Sequence, residues 1–300
     1  MITVFFIALF VFGLAIGSFL NVLIFRYNSE ENLWNIKRLS GRSHCPHCNH
    51  ELKAGELVPL WSFFIQKGKC RECGHKLSFQ YPVIEFLSGA IFAGLPWFLN
   101  GFYNVGLQSF TSLGLEWWYY ALLLAWIAVF LAWLVIAAID LREYIIPNEL
   151  NFLLAFLGVL IGVLILVYGD KLFPFRDSFL EQYRLIFSPF QSVILNRLLG
   201  MAAGGLFFGF LVFASRGRGM GMGDVKLAIA SGLVLGWPDI ALAIILSFLF
   251  GGIIGGGFLV SGKKEMKDKL PFAPFFVLAV FATVFFGHGI IGWYFSLFGI

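Results

Sequence analysis

Two aspartates in this sequence are placed where carboxylates could act together as acid and base. Asp140 closes a long apolar run, and Asp224 stands at the start of another, directly after a glycine-rich stretch. A charge beside hydrocarbon costs roughly 2.5 to 3.5 kcal/mol at a helix centre, so such groups are functional candidates unless they only cap a helix or reach the interface. Two carboxylates that share one proton can activate water against a peptide bond. Because their charges repel, such a pair titrates in two separated steps.

The elements that must position this pair are membrane-spanning helices. Hydrophobic residues make up 59% of the 300 residues and charged residues 13%, with a mean hydropathy of +0.86, whereas about 25% of residues are charged in soluble domains. A spanning helix needs about 20 apolar residues. We therefore predict an all-α polytopic membrane protein of about eight spans, the sixth of them short. The predicted spans are 2–25, 83–99, 117–139, 149–168, 192–214, 225–237, 240–260 and 272–297.

Positive charge predicts which loops face the cytoplasm. With eight spans, alternate loops hold 17 of the 21 Lys and Arg residues, nine of them within 26–82. The opposite side holds four, which are Lys171, Arg176, Arg184 and Arg197. The positive-inside rule therefore places segment 26–82 in the cytoplasm and both termini outside. The net charge of +4 is explained by this topology, and no basic stripe indicates nucleic-acid binding.

All four cysteines lie in that cytoplasmic segment, as two Cys-x-x-Cys pairs. The pairs are Cys45 with Cys48 and Cys70 with Cys73. This spacing predicts a four-thiolate zinc site, which is structural because it leaves no open coordination position. A reducing cytoplasm argues against disulfides, and a redox role suits two matched pairs less well than a metal. Four histidines crowd the pairs and either replace a thiolate or belong to the surface: His44, His47, His50 and His75.

Irregular backbone is predicted beside both aspartates. Pro147 disfavours helix at the residue before it, so the helix that carries Asp140 must end nearby. Around Asp224, Gly221 and Gly223 allow another chain to approach closely, which suits an extended peptide substrate. The glycine-rich stretch has neither the strand–turn–helix context of a dinucleotide site nor a Walker-type pattern, so it predicts no nucleotide cofactor.

Two further charged residues are candidates for substrate binding, each with a plainer alternative. Lys226 either binds substrate or stabilises the ionised aspartate two residues before it, or it only extends to the interface. Glu85, just inside the second span, either reaches the interface or faces the interior as a functional group.

Taken together, these motifs resemble those of the type IV prepilin peptidases, the bifunctional leader peptidases and N-methyltransferases of pilus and type II secretion systems. The resemblance covers nearly the whole chain. Its motifs are Gly17-Ser-Phe-Leu-Asn21-Val, Ser43-His-Cys45-Pro-His-Cys48 with Cys70-Arg-Glu-Cys73, Tyr81-Pro-Val-Ile-Glu85, Asp140 followed by Pro147, and Gly221-Met-Gly-Asp224-Val-Lys226. The Gly-x-Gly-Asp motif alone is shared with presenilin-like proteases, so the specificity comes from the combination. The departures, at Tyr27-Asn28, Asn148 and Ala273, concern loop shape only.

The resemblance implies an aspartic endopeptidase of the bacterial inner membrane that uses Asp140 and Asp224. Its substrates would be prepilins or pseudopilins held in the lipid bilayer, cut after a glycine on the cytoplasmic side to remove a short basic leader. It also implies zinc at the four cysteines and S-adenosylmethionine as the methyl donor for the new amino terminus. No residue pattern in this sequence marks a site for that donor.

An ion-coupled transporter is the main alternative, because buried carboxylates and glycine-broken helices also build ion sites. It predicts acids near the bilayer midplane and inverted repeats, whereas both aspartates map to one face of the predicted topology. A zinc-bearing scaffold would leave the aspartates without a role. A protease that cuts within lipid would lack the cysteine loop.

We predict three parts: a first helix over 1–25, the zinc-binding loop over 26–82 and a catalytic membrane domain over 83–300.

Overall fold

The computed structural model describes residues 2–33, 35, 40–104, 116–169, 177–187, 192–262 and 269–299. Over these ranges the protein is helical, apart from turns and two isolated β-bridges. The helices are α1 (Ile2–Phe25), α2 (Trp61–Ile65), α3 (Gln80–Phe102), α4 (Trp117–Glu143), α5 (Asn148–Tyr168), α6 (Arg184–Phe187), α7 (Val193–Ala214), α8 (Met222–Leu235), α9 (Asp239–Val260) and α10 (Ala273–Ser296). The segments between the predicted spans at 100–116 and 169–191 lie partly outside the described residues, and Lys171, Arg176, Lys263, Lys264 and Lys267 are not described.

Within the described ranges, seven helices are long and apolar enough to cross a bilayer, namely α1, α3, α4, α5, α7, α9 and α10. The predicted all-α membrane fold is confirmed, and the chain is a multi-pass membrane protein. The short sixth span of the prediction is α8, which has 14 residues. It rises about 21 Å at 1.5 Å per residue, whereas the hydrocarbon core of a bilayer is about 30 Å thick. Helix α8 is therefore too short to cross the hydrocarbon core and is not among the seven span-length helices.

Helix α8 nevertheless returns along α7 for most of its length. A Cβ atom at Gly200 would lie 2.5 Å from the carbonyl oxygen of Gly232, and one at Gly204 would lie 2.6 Å from that of Ala228. Small residues four apart bring the two backbones into direct contact, as in many membrane helix pairs. Helix α8 thus runs antiparallel to α7 and returns the chain to the side on which α7 begins. The loops before and after α8 therefore still lie on opposite sides, as predicted, although α8 is short.

The end of α8 inside the bundle explains a buried arginine. The Arg197 guanidinium, 6% exposed, donates to the carbonyl oxygens of Leu233 at 2.8 Å and Val234 at 2.6 Å. The last carbonyls of a helix have no partner within it, and at membrane depth leaving them unpaired is costly. Arg197 therefore caps α8. In the count of positive charges above, it was one of the four residues on the side opposite the cytoplasm.

The described chain forms two compact units. The first runs to Gly101 and contains α1, the cysteine segment and most of α3. The second comprises Phe102–Asn104 and the chain from Glu116 onward, with helices α4 to α10. Within the first unit, α1 and α3 pack through Gly13, whose carbonyl oxygen accepts from the Ser88 hydroxyl at 2.7 Å. The predicted division at residues 25 and 82 stays a prediction.

Candidate active site and metal centre

The register of three helices brings Asp140 and Asp224 to the same level. Lys226 contacts Asn148, and a Cβ at Gly158 would meet the backbone of Leu233, so α5 and α8 run side by side in the same direction. Helix α4 is joined to α5 by residues 144–147 only. Consequently α4 runs opposite to α8.

A buried hydrogen bond fixes how α4 and α8 are aligned. The Trp133 indole N–H donates to the Ser231 hydroxyl oxygen at 3.0 Å, and both residues are fully buried. Asp140 lies seven residues beyond Trp133, and Asp224 lies seven residues before Ser231. Seven residues make almost two complete turns, about 10.5 Å, and return to the same helix face. The two aspartates therefore lie at one level on the sides of α4 and α8 that face each other, and Asp224 lies within electrostatic range of Asp140.

Asp140 is oriented by the first residue of α10. Its Oδ2 atom accepts a hydrogen bond from the backbone N–H of Ala273 at 3.0 Å, and the residue is 5% exposed. The first N–H groups of a helix have no partner within it, and they carry a partial positive charge that favours an anion. No residue pattern predicts this donor, because every residue except proline has a backbone N–H and only Pro271 and Pro274 mark the turn around it.

Asp224 is oriented by its own turn. It is the third residue of α8, and its Oδ2 atom accepts the Gly221 N–H at 3.0 Å. A Cβ at Gly223 would lie 3.3 Å from the Cβ atom of Ile146, so this glycine lets the start of α8 pack against the turn that follows Asp140. Each carboxylate thus uses one oxygen for orientation, which leaves its other oxygen to hold water or a substrate atom.

Lys226 and Asn148 link the segments that follow the two aspartates. The Lys226 Nζ atom donates to the Asn148 Oδ1 atom at 2.8 Å, and both residues are exposed. The structure therefore places Lys226 at the mouth of the site, next to α8 and the start of α5.

Asn151 is a further polar residue near this site that sequence analysis missed. It is 6% exposed, and neither polar atom of its amide has a partner among the described residues. It lies one turn beyond Asn148, on the α5 row that includes Gly158 and packs against α8. A buried polar group without a partner costs about 1 to 3 kcal/mol. An asparagine inside an apolar run was the signal that could have identified it.

Glu85 lies in the first unit and is 7% exposed. Its Oε2 atom accepts the backbone N–H of Leu60 at 2.7 Å. Nearby, the Asn21 amide donates to the Tyr81 carbonyl oxygen at 3.0 Å. Glu85 and Asn21 thus both bond to backbone groups. Glu85 faces the protein interior, which was one of its two predicted alternatives.

The four cysteines meet in one cluster. All four Sγ atoms lie within 4.8 Å of one another, and two of the pairs, Cys45 with Cys73 and Cys48 with Cys70, are 3.9 Å apart. Tetrahedral zinc with Zn–S bonds of about 2.3 Å requires sulfur atoms roughly 3.8 Å apart. A disulfide would need about 2.05 Å, so the geometry fits a tetrahedral metal. Two thiolates are buried and two exposed.

The cluster is built from two matching turns, the second 25 residues after the first. In the first, the Cys45 N–H donates to the His50 carbonyl oxygen at 2.9 Å, and in the second the Cys70 N–H donates to that of His75 at 2.9 Å. The fourth residue after each first cysteine has a left-handed backbone, with φ of 58° at Asn49 and 68° at Gly74. The cysteines alone therefore form the described cluster, and no histidine replaces a thiolate in it.

Comparison with known proteins gives matches in both units. Residues 11–99 match the model described as the bacterial peptidase A24 N-terminal domain, and residues 126–256 match that of the type IV leader peptidase family. A prepilin leader peptidase/N-methyltransferase from Bacillus subtilis (strain 168) is 32% identical over 290 residues, which cover 96% of this chain and 97% of the relative.

Two further relatives carry the same name. The one from Aeromonas salmonicida (strain A449) is 28% identical over 315 residues, 97% of this chain and 94% of its own. The one from Burkholderia pseudomallei (strain 1026b) is 29% identical over 301 residues, 92% of this chain and 84% of its own. No solved structure gives a significant match.

Proposed function

We propose, on the premise that this chain belongs to the type IV leader peptidase family, that it removes the leaders of prepilins or pseudopilins as a membrane aspartic endopeptidase. The observation that carries the proposal is the alignment of α4 and α8, in which Asp140 and Asp224 lie at one level on the sides of the helices that face each other. A transporter has no support from the relatives or from the placement of these two acids.

The proposed chemistry uses one ionised and one protonated aspartate. The ionised carboxylate takes a proton from water while the water oxygen bonds to the scissile carbonyl carbon. The protonated carboxylic acid gives its proton to the carbonyl oxygen, which yields a neutral tetrahedral intermediate. When this intermediate collapses, the C–N bond breaks and the nitrogen receives a proton from the carboxyl that gained one. One hydroxyl of the intermediate returns a proton to the other carboxylate, which leaves a carboxylic acid product and restores the starting pair. The N–H groups of Ala273 and Gly221 hold the two carboxylates in place throughout.

The substrate would lie as an extended chain beside the start of α8. Gly221 is exposed and has extended backbone with φ −94° and ψ 162°, and Gly223 has no side chain to obstruct a second chain. Lys226 at the mouth and the buried amide of Asn151 are the polar groups that we assign to contacts with such a chain. For Glu85, substrate binding would require its carboxylate to release the Leu60 N–H.

We also propose a cytoplasmic active site, a zinc-bearing loop and methyl transfer. Orientation is supported by the Lys and Arg count, which favours the cytoplasm for segment 26–82. Zinc is supported by the sulfur geometry, and its role would be to fold the loop. Methylation of the new amino terminus from S-adenosylmethionine is supported by the names of the relatives, and we assign no residue to that donor.

Mass spectrometry of a prepilin incubated with the purified protein tests these proposals together. We expect loss of the leader at one position, and a one-methyl increase of the mature fragment only when S-adenosylmethionine is present. An intact prepilin, under conditions in which one of the relatives cleaves it, would overturn the peptidase proposal. Cleavage without methylation would overturn only the transferase half.

A further inference from the structure

The cysteine loop carries an exposed apolar face between its two Cys-x-x-Cys turns. Trp61 is 67% exposed, Phe64 63% and Ile65 53%. These three residues belong to α2, and Leu57 and Val58 just before it are also exposed. We call these five residues the apolar patch. Soluble surfaces rarely leave so many large apolar side chains together, and such patches mark sites that contact another apolar surface.

The patch is held in place by its own packing. Phe63, which directly precedes Phe64, is only partly exposed, and its ring lies 5.9 Å from that of Phe79 in an edge-to-face contact. A Cβ at Gly68 would lie 3.1 Å from the same Phe63 ring. Since Phe63 anchors α2, its neighbours Trp61 and Phe64 are presented to the outside by a fixed backbone.

A hydrogen bond places the patch beside the entrance of a membrane span. The Leu60 N–H, directly before α2, donates to Glu85 at 2.7 Å. Glu85 is the sixth residue of α3, which is one of the span-length helices. The patch therefore lies near the end of α3, where the interface between water and lipid must be.

Exposed apolar residues continue from the patch region onto α3. Phe79, Val83 and Phe86 are all exposed, and their spacing of four and three residues puts them on one helix face. Such a face on a spanning helix contacts lipid. The loop also exposes four lysines, two of them within four residues of the end of α2, and these charges suit anionic headgroups: Lys53, Lys67, Lys69 and Lys76.

We propose that the apolar patch inserts into the headgroup region of the bilayer in which the protein is embedded, and so anchors the four-cysteine loop to the membrane surface. Aromatic residues favour this depth, and short amphipathic segments bind there through buried apolar area together with basic charge. The continuous surface from Phe79 to Phe86 favours lipid over a protein partner. This inference does not depend on the peptidase proposal.

Photocrosslinking in the full-length chain tests the anchor. The probe p-benzoylphenylalanine would replace Phe64, in liposomes of phosphatidylethanolamine and phosphatidylglycerol, and adducts would be identified by mass spectrometry. Phe86 on α3 is the positive control, and Glu72, an exposed residue of the second cysteine turn, is the control outside the patch. We expect lipid adducts at residues 64 and 86 and few at 72.

Two results would overturn the anchor. The first is crosslinking of residue 64 only to protein, whether to another part of the chain or to a prepilin that is present. The second is equal lipid labelling at residues 64 and 72, which would mean that the patch is not the membrane-facing side.

Limited proteolysis gives a second readout that needs no probe. In liposomes, replacing both Trp61 and Phe64 with serine should speed trypsin cleavage after Lys67 and Lys69 several-fold, because the loop would leave the membrane surface. Ser62→Ala is the matched control in the same helix. Zinc content should stay unchanged in all variants, which separates release from unfolding, and an unchanged rate with zinc retained would contradict the anchor.

Discussion

The cysteine loop and the aspartate pair are both clusters of reactive side chains, but the chain assembles them differently. The thiolates come from two turns 25 residues apart, and each turn repeats the same backbone hydrogen bond and left-handed residue. The aspartates come from different helices, and the hydrogen bond between Trp133 and Ser231 helps to fix the alignment of α4 and α8 that brings them to one level. A local site depends on the chemistry of its own turns, whereas a distributed site depends on helix packing far from its reactive groups.

The largest effect that separates these regions is expected from the aspartates themselves. Asp140→Asn and Asp224→Asn each remove a proton acceptor or donor, so prepilin cleavage should fall by at least about a thousand-fold, since acid–base groups that act as a unit are worth several kcal/mol. Zinc content should be unchanged. Cleavage is measured by the mass of the mature fragment.

Glu149→Gln provides the matched control for that experiment, because this acid lies in the first turn of α5 near the site. We expect its cleavage rate to stay within about twofold of the original protein. Full activity in either aspartate variant would show that the pair is not catalytic.

The second largest effect is expected at the cysteines, on metal content. Replacing both Cys45 and Cys70 with serine removes the two buried thiolates, so zinc bound per chain should fall to near zero and the loop should become sensitive to protease. His47→Ala, which removes the ring stacked on His75 at 4.1 Å, should keep full zinc content. Zinc retained in the cysteine variant would refute the four-thiolate site.

An intermediate effect is expected from helix packing. In Gly204→Val the new Cβ would lie 2.6 Å from the Ala228 carbonyl oxygen, so α7 and α8 must separate and Asp224 must move with α8. Overpacking of this kind costs about 1 to 3 kcal/mol, and cleavage should fall ten-fold or more while zinc stays bound. Gly209→Ala on the same helix meets no atom within 4 Å and should cleave normally. Equal rates in both variants would contradict the idea that this contact positions Asp224.

The same difference explains what the sequence could and could not predict. The thiolate cluster was predictable residue by residue, because its spacing encodes its turns. Both aspartates could be identified by a charge at the edge of an apolar run, but the Ala273 N–H that orients Asp140 could not, since every residue has a backbone amide. The capping role of Arg197 could not be predicted, because it depends on where α8 ends inside the bundle. The sequence predicted this helix to be short, but not which carbonyl groups its end leaves to be capped.

The smallest effect is expected at the mouth of the active site. Lys226 donates to Asn148 in an exposed hydrogen bond, and such contacts contribute about 0.2 to 1 kcal/mol. Lys226→Met should therefore lower kcat only about two- to five-fold. If Lys226 acts by holding α8 against α5, Asn148→Ala should produce the same loss, and KM should change in neither variant. If Lys226 instead binds the prepilin, KM should rise in Lys226→Met alone, because Asn148 would have no share in substrate contact.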